Sequence, residues 1–114
     1  MVNTPESRTA ADAQAHFTRR GTADAPELAI RGEVDVSTSA ALRGELYGII
    51  DSGARRVVVD CSEMDFIDSS GLGVLVGALK RVREKDGEIV LRSLNPSARK
   101  VFEITGLTKL FTIE

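Results

Sequence analysis

The sequence holds one cysteine (Cys61), one histidine (His16) and no tryptophan. A single cysteine excludes an intramolecular disulfide and leaves no thiolate cluster for a metal. A single histidine removes sites built on several imidazoles and leaves His16 as the only imidazole base for nucleophilic chemistry. Aromatic residues make up 4% of the chain, so the core must be built from Val, Leu, Ile and Ala, and a surface that stacks nucleic-acid bases is not expected. Fifteen basic and seventeen acidic residues give a formal net charge of -2, which lacks the basic footprint of a DNA or RNA binder. No apolar run approaches a membrane span. The first residues lack a basic stretch followed by an apolar one, so no secretory signal is read and the expected compartment is the cytoplasm. Asn95-Pro96-Ser97 has Pro at the position that forbids glycosylation. No cofactor or metal motif is found.

What is present suits one globular domain. The chain has 114 residues, 42% of them hydrophobic and 28% charged. Residues 1–13 are polar and rich in small side chains, which predicts a flexible tail, with the domain over residues 14–114. Ala15 and Phe17 alternate with polar neighbours as a half-buried strand does, and Leu28-Ala29-Ile30 supplies a second strand across a short turn, so the two should form a hairpin. Leu42, Leu46, Ile49 and Ile50 then recur at helical spacing, with Asp35 and Ser37 as candidate N-caps. Val57-Val58-Val59 is a continuous β-branched run of the kind buried on both faces. An acidic loop should carry the chain to a second helix from near Ser70 towards Lys85, with Leu72, Leu75, Val76, Leu79 and Val82 on one face. Lys80, Arg81, Arg83 and Lys85 read as a solvated face, and Gly87 as the stop. Ile89-Val90-Leu91 is another buried strand. Asn95 and Pro96 open a third helix, with Ala98, Val101, Phe102 and Thr105 inward. Leu107 to Ile113 is a short apolar tail. The order is β-β-α-β-α-β-α. This is an α/β fold with a small mixed, mostly parallel sheet, an N-terminal β-hairpin and packed helices.

Function concentrates between Val57 and Gly77, where a buried strand turns through Asp68-Ser69-Ser70-Gly71 into a helix. In open α/β sheets, sites gather at the carboxyl ends of strands. A helix N-terminus tolerates an anion, and Asp65, Asp68 and Asp35 supply acidic neighbours. A phosphate on Ser69 would add about -1.5 to -2 charges to that rim. The plainer reading, favoured by composition and spacing alone, makes Ser69 or Ser70 a helix cap and the aspartates solvated loop residues. A hydrolase elbow is disfavoured, because Ile67 and Asp68 stand where Gly-x-Ser-x-Gly requires glycine. Gly71, Gly73 and Gly77 form Gly-x-Gly-x-x-x-Gly, one residue longer than the dinucleotide fingerprint. Gly73 and Gly77 therefore read as sites of close helix packing, against the sheet or a partner. Cys61 reads as a small core residue and Tyr47 as a helix residue at the core margin.

Phe66-Ile67-Asp68-Ser69-Ser70-Gly71-Leu72-Gly73 resembles the signature of anti-sigma factor antagonists of the STAS domain family. Gly32-Glu33-Val34-Asp35, Val57-Val58-Val59-Asp60 and Asn95-Pro96 through Gly106-Leu107 resemble further parts of it in the same order. The resemblance spans about Ala15 to Ile113. It implies a binding protein rather than an enzyme. The unphosphorylated form would hold an anti-sigma factor that is also a serine kinase of the GHKL type, freeing a sigma factor. The kinase would phosphorylate Ser69 and so end binding, and a PP2C-type phosphatase would restore it. Asp35, Asp68, Ser69, Ser70, Gly71, Leu72 and Gly73 would form the partner-binding surface. Within it Asp35 and Asp68 would orient the serine, Ser70 would help cap the helix, and Gly71 and Gly73 would permit close backbone approach. The sequence ends at Glu114, short of a further helix that some members carry, which implies a minimal domain. A scaffold or ligand-binding module in a stress-signalling complex is the alternative role.

Overall fold

The computed structural model describes residues 15–114, so the expected tail over residues 1–13 and the domain start at position 14 lie outside the described residues. Strand β1 (His16–Gly21) and strand β2 (Pro26–Val34) form the hairpin. Helix α1 (Ser39–Asp51), strand β3 (Arg56–Ile67), helix α2 (Ser69–Arg83), strand β4 (Glu88–Arg92) and helix α3 (Pro96–Ile104) follow. The apolar tail is more ordered than expected: Leu107–Lys109 makes a 3-10 turn and Thr112–Ile113 a short strand, β5. The sheet has five strands in the order β1-β2-β3-β4-β5. Only β1–β2 is antiparallel; the other pairs are parallel.

Val57 and Val59 align with Ile89 and Leu91 on β4. These four residues join the main core together with side chains from all three helices. Phe102 of α3 is fully buried and meets Phe111 edge-on, with ring centroids 5.9 Å apart. Val58 and Val90 point to the reverse face and lie outside that cluster, yet are 5% and 0% exposed. Their neighbours on that face are charged and joined across the strands: Arg92 to Glu27 and Glu114, Arg56 to Glu88 and Glu114, and Arg20 to Asp60. Exposed pairs of this kind add little energy each. The long arginine stems nevertheless shield the two valines from water.

Several expectations give way to packing. The stretch read as an acidic loop is the second half of β3. Ala29 pairs with Asp60, Arg31 with Glu63, Gly32 with Met64 and Glu33 with Phe66, so β3 carries two extra, bulged residues against β2. Cys61, Met64 and Ile67 face the core at intervals of three, which hides the strand's period of two. The basic face of α2 is solvated as expected, with Lys80, Arg83 and Lys85 exposed, but three of its side chains also make bonds within the domain. Arg81 makes a two-pronged bond to Asp51, both arms 2.8 Å, and lies 4.5 Å over the Tyr47 ring. Arg83 donates to the Leu110 carbonyl and Lys85 to that of Ile50. Thr105 is exposed, and Val101 only half-buried. Asn95 behaves as expected: its side-chain oxygen accepts from Ala98 N–H, while its amide donates to the Met64 carbonyl and pins α3 to β3.

Truncating Phe102 to Ala leaves a void in the core and should lower unfolding free energy by about 3–5 kcal/mol in urea titration. Arg92→Met, on the ion-paired reverse face, should leave the urea midpoint close to that of the parent protein.

Candidate functional site

Because β2 and β3 are parallel neighbours, both deliver their following turns to one end of the sheet. The Asp68 N–H donates to the Val34 carbonyl at 3.0 Å, which fastens the start of α2 beside the end of β2. The Asp35 turn and the Ser69 turn therefore share one surface.

Asp68 is the N-cap of α2. One of its carboxylate oxygens accepts from Ser70 N–H at 2.8 Å and from Gly71 N–H at 3.2 Å, satisfying two of the helix's orphan donors. The capping role expected of Ser70 thus belongs to Asp68, and Ser70 contributes its backbone. Ser69 is the first helical residue and is exposed. Among the described residues its hydroxyl bonds neither Asp68 nor Asp35.

Asp35 serves its own turn instead of capping α1. Its carboxylate accepts from the Ser37 hydroxyl at 2.6 Å and from Ser37 N–H at 2.9 Å. Asp35 N–H in turn donates to Thr38 Oγ1 at 2.9 Å, and Thr38 is buried at the N-cap of α1 without a side-chain cap bond. The hydroxyl of Ser37, then its N–H and the Thr38 groups, outweigh desolvation and hold the Asp35 carboxyl below the usual carboxylate range.

The glycines of the motif divide. A side chain at Gly71 would stand 2.7 Å from both Ile67 Cγ1 and Val34 Cγ1, so α2 meets the sheet here only because position 71 has no Cβ. Gly73 is exposed, and a Cβ there would meet nothing within 4 Å. The close approach expected at position 73 does not occur among the described residues. Gly77 faces α1, with Tyr47 Oη 3.0 Å from its notional Cβ. All three lie inside α2 rather than in a strand-to-helix loop, unlike a dinucleotide fingerprint. Leu72 keeps 8% of its surface, its side chain belonging to the core.

Two remaining candidates for chemistry fall elsewhere. His16 lies on β1, opposite Arg31, and lines a reverse-face depression with Arg20, Asp60 and Ser62. Burial, with the neighbouring Asp60 charge, pushes the Cys61 thiol up to about 12, so it stays protonated and unreactive at neutral pH. Among the described residues no helix is long and apolar enough to cross a membrane.

Comparison with known proteins places this geometry in a family. The family model for the STAS domain matches residues 17–114, and the chain belongs to the STAS domain family. It is 39% identical over 84 residues to BtrV of Bordetella bronchiseptica, named as a candidate anti-sigma factor antagonist, covering 74% of this chain and 72% of that protein. It is 34% identical over 90 residues to the anti-sigma-B factor antagonist of Listeria monocytogenes, covering 77% of each. Among solved structures, an anti-sigma factor antagonist from Mycobacterium paratuberculosis superposes with a TM-score of 0.81 at 22% identity, covering 90% of this chain and 87% of that one. Unphosphorylated SpoIIAA superposes with a TM-score of 0.77 at 23% identity, covering 87% and 88%. At those identities the two structures establish the fold.

Two stability measurements check the site's construction. Gly71→Ala should cost about 1–3 kcal/mol through overpacking, whereas Gly73→Ala should gain up to about 1 kcal/mol, since alanine fits an exposed helix interior better than glycine. Asp35, with a folded pKa below its ordinary 3.8, stabilises above that value and loses the contribution as pH falls through the lower, folded one. The acid limb of the stability profile, below about pH 4, should therefore be shallower in Asp35→Asn than in the parent protein.

Proposed function

We propose that this chain is a cytoplasmic anti-sigma factor antagonist whose unphosphorylated form binds an anti-sigma factor with GHKL-type serine-kinase activity and so frees a sigma factor. Phosphorylation of Ser69 ends that binding, and a PP2C-type phosphatase restores it. The chain regulates and does not catalyse. The observation that carries this reading is the separation of tasks at the head of α2: Asp68 caps the helix, and Ser69 stands exposed on its first turn.

The chemistry of the switch follows from that separation. The Ser70 and Gly71 N–H groups are engaged by Asp68, so a phosphate on Ser69 does not receive them. It extends outward beside Asp68 and the Asp35 turn, adding about -1.5 to -2 charges at neutral pH. The helix keeps its cap, and the docking surface changes charge. A kinase must hold Ser69 against the terminal phosphate of its nucleotide. After transfer, the same pose sets phosphoserine against the remaining nucleotide phosphates, and like charges in a closed site drive release.

Asp35, Asp68, Ser69, Ser70, Gly71, Leu72 and Gly73 form the docking region in this reading, with unequal parts. Ser70, Gly71 and Leu72 act through the shape of the helix start. Gly73 lies one turn beyond Ser69 on the same helix face. Among the described residues nothing requires a glycine there, and a partner backbone passing close to α2 accounts for it.

The test is a pull-down against purified kinase-type anti-sigma factors, with and without ATP. The parent protein and Ser69→Ala should bind, Ser69→Asp should not, and ATP should release only the parent. Gly73→Ala should bind more weakly while unfolding at higher temperature. If the three Ser69 forms behave alike, Ser69 is a helix residue only and the scaffold role replaces the switch.

A further inference from the structure

Four large apolar side chains are exposed among the described residues: Val36 at 78%, Ile104 at 75%, Phe66 at 50% and Leu110 at 41%. Val36 and Phe66 belong to the region just described. Phe66 lies three residues before Ser69 and pairs across the sheet with Glu33, while Ile67 pairs with Val34. Val36 follows Asp35, in the turn that leaves β2 beside the α2 start. The two therefore leave the sheet from adjoining strand ends, next to the candidate switch.

Among the described residues neither side chain joins the core. The Val36 turn is held by Asp35, Ser37 and Thr38, all through polar bonds. Phe66 points opposite to Ile67, which is the residue that enters the core. Single exposed apolar residues are ordinary. Two at the adjoining strand ends that lead into the Asp35 and Ser69 turns, with the acidic residues Glu33, Asp35, Asp65 and Asp68 close in the chain, have the makings of an interface anchor, in which apolar side chains are ringed by polar ones.

We infer that Val36 and Phe66 are the apolar anchors by which the anti-sigma factor kinase holds this protein, each seated in an apolar recess of the partner at the end of the sheet that carries Ser69. This rests on the reading under Proposed function and adds to it a division of labour. The anchors supply affinity, and Ser69 supplies the switch. A partner seated on these anchors covers the same end of the sheet and so excludes water from Ser69. A phosphate formed there must give up its hydration under apolar contact, which makes one covalent change sufficient for release.

The test uses the whole protein and its purified cognate kinase, in calorimetric titration and in a steady-state phosphorylation assay. Val36→Ser and Phe66→Ser should each weaken binding by about tenfold or more, and the double variant further. In phosphorylation they should raise KM by a similar factor and leave kcat within about twofold, because the anchors bind ground and transition states alike. Ile104→Ser and Leu110→Ser, with comparable exposure on the α3 end and the 3-10 turn, should leave both measurements unchanged. Thermal unfolding confirms that each variant is folded. If Val36→Ser and Phe66→Ser bind like the parent while Ser69→Asp does not, the anchors are wrong and the switch survives. If Ile104→Ser weakens binding as much as Val36→Ser, the anchoring lies elsewhere and the inference is overturned. If Ser69→Asp binds like the parent, the switch itself fails and takes this inference with it.

Discussion

The bond from the Asp68 N–H to the Val34 carbonyl is the last rung of the β2–β3 ladder, and the site depends on it. Parallel pairing brings two strands to the same end of a sheet, but two bulges in β3 could have left its end out of step with that of β2. The extra residues at both shifts are absorbed before Val34 meets Ile67, so the strands finish level. The Asp35 turn and the Ser69 turn then lie side by side, with Gly71 admitting α2 against Val34 and Ile67. Everything proposed for the surface uses that adjacency.

From there the polar groups divide the work. Asp35 closes its own turn, and Asp68 caps its own helix. Neither is needed to hold the serine, which leaves Ser69 able to change charge without removing a structural bond. A switch on the N-cap residue itself would have traded stability for signal, since losing a cap costs about 1 kcal/mol. One position along, the cost to the fold is small and the change at the surface is large. The bare backbone at Gly73 and the apolar side chains at Val36 and Phe66 have the same character: features the fold tolerates and a partner can use.

Much of the fold was legible because local signals and packing agreed. The hairpin, the valine run of β3, the Asn95-Pro96 helix start and the placement of Ser69 at the head of α2 all follow from residues within a few positions of each other. The failures come from long-range partners. The far half of β3 read as a loop because bulging spaced Cys61, Met64 and Ile67 by three. Strand β5 is too short to announce itself and exists because Glu114 N–H finds the Leu91 carbonyl. The pairing of Arg81 was not foreseen because Asp51, its partner, lies thirty residues back. Within the site, the cap was expected at Ser69 or Ser70 and is Asp68 instead, because its carboxylate reaches both the Ser70 and the Gly71 N–H. Neither Val36 nor Phe66 was expected at the surface, although an apolar residue in a polar turn and another outside the core spacing were the available signals.

The central claim is that phosphorylation of Ser69 changes what the protein binds and leaves the fold alone. Amide hydrogen exchange on fully phosphorylated and unphosphorylated protein, with partner affinity measured on the same samples, tests it directly. The account predicts that protection along α2 and the global unfolding free energy stay within about 1 kcal/mol, because the Asp68 cap is kept, while affinity falls at least about tenfold. Loss of protection through the first turns of α2, with a matching loss of global stability, would contradict it and make the switch an unfolding event.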